Sequence, residues 1–554
     1  MLVILDDGPR RVFSAPLAVL AADRADEVPA ALAAVEQALA AGRHVAGWLG
    51  YELGYALEPK LAHLLPPGPL LRLGVFEAPS AEAPPVAGRA YAGPLRPEWD
   101  EAAYAARFAR VKAYIAAGDI YQANLSFRCG FAFAGAARAL YEQLRVQSGA
   151  GHCGFVDDGK QQILSLSPEL FFDLSADGGL TVRPMKGTAP RGSDDAAARA
   201  ALAASEKDRA ENLMIVDLLR NDLSRIGGGV AVGGLFEVET YPTLHAMVST
   251  VTARKRAGVG AAEILRALFP CGSVTGAPKI RAMEILHALE VSPRGAYCGA
   301  VGHFAPDGSA RFNVAIRTLT IRGGRGELGI GGGVVQDSKA DGEYAECLLK
   351  ARFFEAQRRP LELIETLGWR DGFVRLQAHL ARMAGSASVF GMAFDADAAR
   401  AALDEAVKGK AGALRVRLTL DETGAHRATA HPLDANPPHW TYALAPQRTD
   451  SADLLLRHKT SWRDLYDRPH PGCDELIFRN ERGELTEGAR SNLFVERDGL
   501  LLTPPLAAGV LPGILRAELI EQGRAREATL MPDDLEGEVW FGNSLRGLIR
   551  AIRL

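Results

Sequence analysis

The sequence predicts a mixed α/β protein built as two domains in series. Three observations carry this. At 554 residues the chain exceeds what one hydrophobic core normally supports. Its first part alternates amphipathic helical patterns with apolar, glycine-punctuated strand patterns. Just past Arg358-Arg359-Pro360 the pattern changes to short strands separated by turns, and Pro360 stops the preceding helix. The first domain is therefore assigned to 1–357, with a subregion of about 1–97 and a core of about 98–357. The second is assigned to 361–554.

The elements follow in order. Met1 to Asp7 reads as a strand entering a turn, without the basic start and long apolar core of a signal peptide. Residues 26–42 form an Ala/Leu-rich helix, and Val45 to Glu52 a buried strand ending in a turn. The Pro-, Gly- and Ala-rich stretch 65–97 reads as loop or edge strand. Tyr104, Phe108, Val111 and Ile115 recur at helical spacing within 99–117. Further helices are expected over 205–224 and over 276–290, the latter opened by Gly276-Ala277-Pro278. A strand over 328–335 is interrupted by glycines, and a helix over 341–358 closes the domain. In the second domain, strands are expected at 361–366, 414–420, 475–479, 492–495 and 539–541.

Composition narrows the function classes. A 48% hydrophobic and 23% charged chain is that of a soluble globular protein. A net charge of −4 argues against a surface for polyanions, so no nucleic acid is expected. No apolar run is long enough to span a bilayer. The six cysteines are scattered without a Cys-x-x-Cys pair, which suits buried thiols in a reducing compartment, with the cytoplasm as the expected location.

Several residues stand out chemically. Lys186 lies in Arg183-Pro184-Met185-Lys186-Gly187-Thr188. Pro184 stiffens the approach and Gly187 frees the exit, a setting that suits a positioned amine or an ordinary surface turn. Asp208 and Glu211 are three residues apart on a predicted helix, and Glu343 and Glu346 on another, so each pair shares a face. Brought together, the two faces call for a hard cation such as Mg²⁺; kept apart, they are simply solvated. Gly331, Gly332 and Gly333 form either a bulge or a strand edge whose bare backbone approaches an anion. Phe312 to Thr318 alternates apolar and polar residues, so Arg317 would project from a strand. Glu169 lies one strand before Lys186, across a turn at Asp177-Gly178-Gly179, and a hairpin would bring the two together. Burial of Glu169 would suit it to general acid catalysis.

Three of these runs resemble the chorismate-utilising enzyme family. Pro184-Met185-Lys186-Gly187-Thr188 is similar to the P-I-K-G-T run of its aminodeoxychorismate synthase component I branch; related synthases usually carry alanine at the lysine. Asn212 to Leu223 is similar to the family's N-L-M-I-V-D-L-L-R-N-D-L, and Gly331 to Lys350 to its G-G-G-x-V-x-D-S…E-Y-x-E-x-x-x-K. The resemblance implies an anthranilate synthase component I-like two-sheet α/β sandwich. It implies Mg²⁺ on Glu211 and Glu346, with Asp208 and Glu343 beside them, and chorismate contacts at His245, Thr275, Tyr297, Arg317, Gly331, Gly332, Gly333 and Lys350. Lys186 would then be the nucleophile and Glu169 the acid. Ammonia would come from a separate glutamine amidotransferase subunit, since the chain has no Gly-x-Cys-x-Gly elbow.

In the second domain, Arg375 to Met383, Arg457-His458-Lys459-Thr460-Ser461, Leu485 to Phe494, Gly509 to Arg516 and Phe541 to Gly547 are weak signals singly. Their order resembles the class IV pyridoxal-phosphate fold, a two-subdomain α/β architecture. The resemblance implies pyridoxal 5′-phosphate carried by Lys459, with Glu487 on the pyridinium nitrogen. The phosphate would rest on Arg382, Gly513, Ile514, Asn543 and Ser544, and the domain would form a homodimer. Asp464 stands where aminotransferases of this fold have a cofactor-bracing tyrosine, leaving Tyr466 as the candidate substitute. Together the two resemblances imply 4-aminobenzoate synthesis from chorismate for folate: amination to 4-amino-4-deoxychorismate, then elimination of pyruvate. The alternative is an anthranilate-type synthase fused to a branched-chain or D-amino-acid aminotransferase, against which Lys186 and Asp464 speak.

Overall fold

The computed structural model describes residues 1–192, 194–241, 244–467 and 472–554. The chain divides into two compact units. One contains Met1–Pro85, Leu95–Phe131 and Tyr141–Gln357, the other Val86–Pro94, Ala132–Leu140 and Arg358–Leu554.

The first unit is built on two large sheets. One runs through Gly276–Ala277, Gln122–Gly135, Arg325–Val334, Thr318–Arg322, Gln162–Ser167, His152–Asp157, Leu2–Asp6 and Arg11–Phe13. The other runs from Gly227–Val232 through Val251–Lys255, Gly179–Arg183, Leu170–Leu174, Ala310–Val314, Ala300–Phe304, His44–Leu49 and Leu71–Phe76 to Ala18–Ala22. Val3, Leu5, Phe13 and Ile163 of the first sheet pack against Trp48, Phe76 and Val301 of the second, so each sheet buries one face on the other. Helices Val28–Ala40, Glu206–Ser224 and Ala261–Leu268 contribute to the core against the second sheet. A small sheet, Met185–Pro190, Leu244–Val248 and Glu237–Thr240, carries Lys186.

Two local expectations are corrected. The stretch 65–97 contains Leu71–Phe76, an interior strand buried along its whole length between two neighbours. Covered on both faces, it shows no alternation to read. Arg317 lies between strands, not on one: Ala310–Val314 ends before it and Thr318–Arg322 begins after it. Its φ of 49° is a left-handed turn conformation.

In the second unit, the sheet Leu363–Trp369, Leu414–Leu420 and His426–Pro432 packs on helices Leu376–Phe390 and Ala396–Val407. Leu485–Gly488, Glu475–Asn480, Trp440–Thr449, Gly547–Arg553, Glu538–Asn543 and Asn492–Arg497 pair in that order. The Glu487↔Asn492 pairing closes this set into a ring. The unit also takes in a hairpin from far upstream. Ala90, Tyr91 and Ala92 pair with Gly135, Ala134 and Phe133. Tyr91 packs edge-on against Phe390 and donates its hydroxyl to Glu422. Among the described residues no helix is long and apolar enough to cross a membrane.

Candidate active sites

In the first unit the hairpin register Leu170↔Arg183 brings the segments carrying Glu169 and Lys186 to the same end of the sheet. Gly187 adopts φ 86°, and a Cβ there would lie 2.8 Å from Asp208 Cβ, so glycine lets the lysine strand press against helix Glu206–Ser224. On the other side, a Cβ on Gly333 would come within 3.0 Å of Lys186 Nζ; the missing side chain makes room for the amine. Glu169 is buried and accepts a 2.7 Å hydrogen bond from the Ser273 hydroxyl. Burial pushes its carboxyl up to about 7, against the opposing effects of Ser273 and the Lys186 charge.

The four acids sit on facing stretches of helices Glu206–Ser224 and Ala340–Glu355, interleaved with lysines. Glu346 pairs with Lys350 at 2.9 Å and Glu211 with Lys207 at 3.9 Å, while Glu343 accepts from Ser338 at 2.7 Å. Burial raises Glu211 above the usual carboxylate range, and the charges of Asp208 and Glu343 add to this against Lys186 and Lys207. Burial acts the same way on Glu346, but Lys350 prevails and lowers it. Among the described residues no three His, Cys, Asp or Glu side chains converge closely enough to hold a metal ion. Glu346 and Glu211 are each compensated instead by a lysine four residues away on their own helix.

The remaining predicted contacts divide into two kinds. Lys350 donates to the Gly331 carbonyl at 2.9 Å, and a Cβ on Gly332 would meet Glu343 at 3.0 Å. Arg317 is partly buried; desolvation lowers its pKa, and among the described residues no neighbouring carboxylate offsets this. A desolvated guanidinium of that kind is suited to an external anion. His245 is instead engaged internally, 3.2 Å from Asp195 and 3.0 Å from the Thr240 hydroxyl. Thr275 donates to the Cys271 carbonyl at 2.8 Å, and the Tyr297 ring lies over Gly329. Sequence reasoning passed over Ser273 and Gln122. Gln122 is fully buried, has no partner for either amide atom among the described residues, and would touch a Gly333 Cβ at 3.0 Å beside Lys186. A glutamine opening an apolar strand was the available signal.

In the second unit the Lys459 amine donates to the Thr366 hydroxyl at 3.1 Å. Burial lowers its pKa to about 8, the Glu365 charge opposing and Arg382 and Arg463 assisting. Glu487 stands at the ring closure, where burial pushes it up to about 7. It accepts from Tyr466 at 3.0 Å, the Leu511 amide at 3.0 Å and Asn492 at 3.3 Å. Tyr466 is thus committed to Glu487, and Asp464 pairs with Arg359 at the surface. Arg382 lines a 780 Å³ cavity with Pro512 and Ile514, and also donates to the Pro512 carbonyl at 3.1 Å. Gly513 caps helix Ile514–Glu521; a Cβ there would lie 1.8 Å from Asn492 Oδ1, so only glycine fits. Ser544 is 2.8 Å from His379, and Asn543 accepts from the Leu545 and Arg546 amides.

Residues 6–356 match the family described as chorismate binding enzyme. The chain belongs to that family. Residues 362–554 of this chorismate binding enzyme match the amino-transferase class IV family. The first part is 43% identical over 283 residues to aminodeoxychorismate synthase component 1 of Klebsiella aerogenes, covering 50% of this chain and 62% of that protein. It is 49% identical over 217 residues to aminodeoxychorismate synthase of Streptomyces pristinaespiralis, covering 38% of this chain and 30% of that protein. The chain thus spans less than two thirds of either curated relative. The solved menaquinone-specific isochorismate synthase from Escherichia coli shares the fold at 17% identity, with a TM-score of 0.52 over 64% of this chain and 87% of that one.

The class IV fold implies pyridoxal phosphate, and the second-unit residues fit it. They offer a buried amine with a lowered pKa, a buried acid at Glu487, and a cationic fork beside a glycine-capped helix N-terminus.

Proposed function

We propose that the chain makes 4-aminobenzoate from chorismate in two steps, one in each unit. The observation that carries this is Lys186, set against Gly333 and acting on the buried, weakly acidic Glu169.

In the first step Arg317 clamps a chorismate carboxylate. The Lys186 nitrogen bonds to the ring carbon next to the carboxylate-bearing one and gives up a proton as it does so. The double bond shifts, the C4–O bond breaks, and Glu169 delivers its proton so that water leaves. Ammonia then adds at C4, the double bond returns, and the bond to Lys186 breaks, giving 4-amino-4-deoxychorismate. Glu211 and Glu346, flanked by Asp208 and Glu343, would hold Mg²⁺; their oxygen-only donor set suits a hard cation that neutralises substrate carboxylate.

In the second step pyridoxal phosphate, when bound, supplies an electron sink for charge released at C4. Lys459 would hold the cofactor and move the C4 proton. Glu487 would keep the ring nitrogen protonated, and Arg382, Ser544, Asn543 and the Gly513–Ile514 amides would bind the phosphate. Loss of the C4 proton and rupture of the C3–O bond release pyruvate and leave an aromatic ring. A separate glutaminase would supply the ammonia, in keeping with relatives named component 1. A homodimer through the second unit and residence in the cytoplasm, where free cysteines persist, complete the proposed setting.

Product analysis with chorismate, an ammonium salt, Mg²⁺ and pyridoxal phosphate tests this. Equal yields of 4-aminobenzoate and pyruvate are expected. Formation of 2-aminobenzoate instead would favour the anthranilate-type alternative.

A further inference from the structure

Glu365 has no role in the chemistry above, yet both of its carboxylate oxygens are held by side chains from the next helix. Its carboxylate is buried on strand Leu363–Trp369. Arg382 grips it with two parallel hydrogen bonds, Nε to Oε1 at 2.8 Å and Nη2 to Oε2 at 2.7 Å. The same Oε2 lies 2.6 Å from His379 Nδ1, and His379 Nε2 lies 2.8 Å from the Ser544 hydroxyl. One carboxylate therefore fixes two side chains from different elements: Arg382, which lines the cavity, directly, and Ser544 through the histidine.

A negative charge beside a phosphate site is electrostatically adverse, so its presence calls for a compensating gain. The fork geometry supplies one. An arginine is long and rotamer-rich, and a bidentate carboxylate holds its plane in a single orientation before any ligand arrives. The Nη1 hydrogen bond to Pro512 adds a second point of fixation immediately before the Gly513–Ile514 helix start. The Arg382 charge and the hydrogen bonds from His379 and Arg382 hold the Glu365 carboxyl down at about 2 despite its burial, so the clamp is ionised throughout the working range of pH.

We infer that Glu365 is a positioning residue that pre-orients Arg382 and, through His379, Ser544 to receive the phosphate of the cofactor. This rests on the pyridoxal-phosphate reading of the second unit. It predicts an effect specific to the phosphate group and opposite in sign to simple electrostatics.

The full-length chain, Glu365→Gln and Glu365→Asp are stripped of cofactor and titrated by tryptophan fluorescence with pyridoxal 5′-phosphate and, separately, with pyridoxal. Expected is a loss of phosphate-ester affinity of roughly tenfold or more in both variants, the scale of one charge-assisted hydrogen bond. Pyridoxal affinity should stay within about twofold. The aspartate variant keeps the charge but withdraws it from the fork, so its loss separates position from charge. Unchanged or tighter phosphate-ester binding in both variants would overturn the assignment, as would an equal loss for pyridoxal. If the parent chain bound neither compound, the cofactor reading itself would fall, a result distinct from a variant effect. Pyridoxal affinity kept within about twofold reports that the second unit of each variant is folded.

Discussion

The Ser273 hydroxyl donates to Glu169 over 2.7 Å inside a buried pocket, and that one bond helps set the proton affinity of the proposed acid. Glu169 must be protonated to release water, so amination at saturating ammonia should decline as pH rises through about 7. The Ser273 bond favours the carboxylate. Ser273→Ala should therefore move this alkaline limb upward, by about one pH unit. Glu169→Gln should abolish the limb along with most of the rate. A pH profile identical in parent and Ser273→Ala chains would contradict this role.

Lys186→Ala removes the amine but leaves Arg317 and the acids in place. Chorismate binding, followed by calorimetry, should change little, while amination falls by at least about 10³-fold, the scale of losing covalent catalysis. Withholding ammonia from the parent chain should trap an adduct detectable by peptide mass at Lys186. Full turnover in the alanine variant would reopen the anthranilate-type alternative.

Magnesium should also reorganise the ion pairs. Glu346 is paired with Lys350 and Glu211 with Lys207, so a cation must displace lysines to reach its carboxylates. Chelation should stop amination, and Glu211→Gln and Glu346→Gln should each do nearly the same. Lys207→Ala, by contrast, should lower the Mg²⁺ concentration needed for half-maximal rate. Undiminished turnover in excess chelator would exclude the metal.

Lys459→Ala should separate the two activities. The variant should consume chorismate, accumulate 4-amino-4-deoxychorismate and release almost no pyruvate, and an added active lyase should restore both products. Borohydride treatment of chain loaded with pyridoxal phosphate should fix the cofactor covalently on the parent peptide that carries Lys459 and leave the variant unlabelled. Parent-level 4-aminobenzoate from the variant would disprove the assignment of the second unit.

Tyr91→Ala tests the upstream hairpin. The ring is buried against Phe390 and its hydroxyl reaches Glu422. Its loss should cost the second unit about 3 kcal/mol or more, read as a lower melting temperature of the transition that releases the cofactor.

Much of this was legible from local pattern. The helices around Tyr104, Asn212 and Tyr344 repeat their apolar residues at helical spacing, and turn residues bracket the strands of the second unit. The hairpin register linking Glu169 to Lys186 followed from one glycine turn. Other features depend on partners remote in sequence. Leu71–Phe76 showed no alternation because both its faces are covered. Arg317 left its expected strand because the strand ends at Val314 and Arg317 itself takes a left-handed turn conformation before Thr318–Arg322 begins. Ser273, Gln122 and Glu365 are ordinary polar residues in sequence; only the fold reveals that their neighbours leave them facing Glu169, Lys186 and Arg382.

The hairpin has a consequence for how the chain is made. Tyr91 leaves the ribosome long before Phe390 and Glu422, its partners within the unit, exist. At cellular translation rates the wait is roughly tens of seconds. Through that interval an aromatic destined for a core has none to join, and the second unit cannot finish folding as a C-terminal afterthought. A gene cut at codon 360 would separate the two matched families cleanly on paper, yet would deliver the downstream half without its Tyr91 hairpin. Engineers wishing to exchange either half should carry residues 86–94 and 132–140 with the downstream piece.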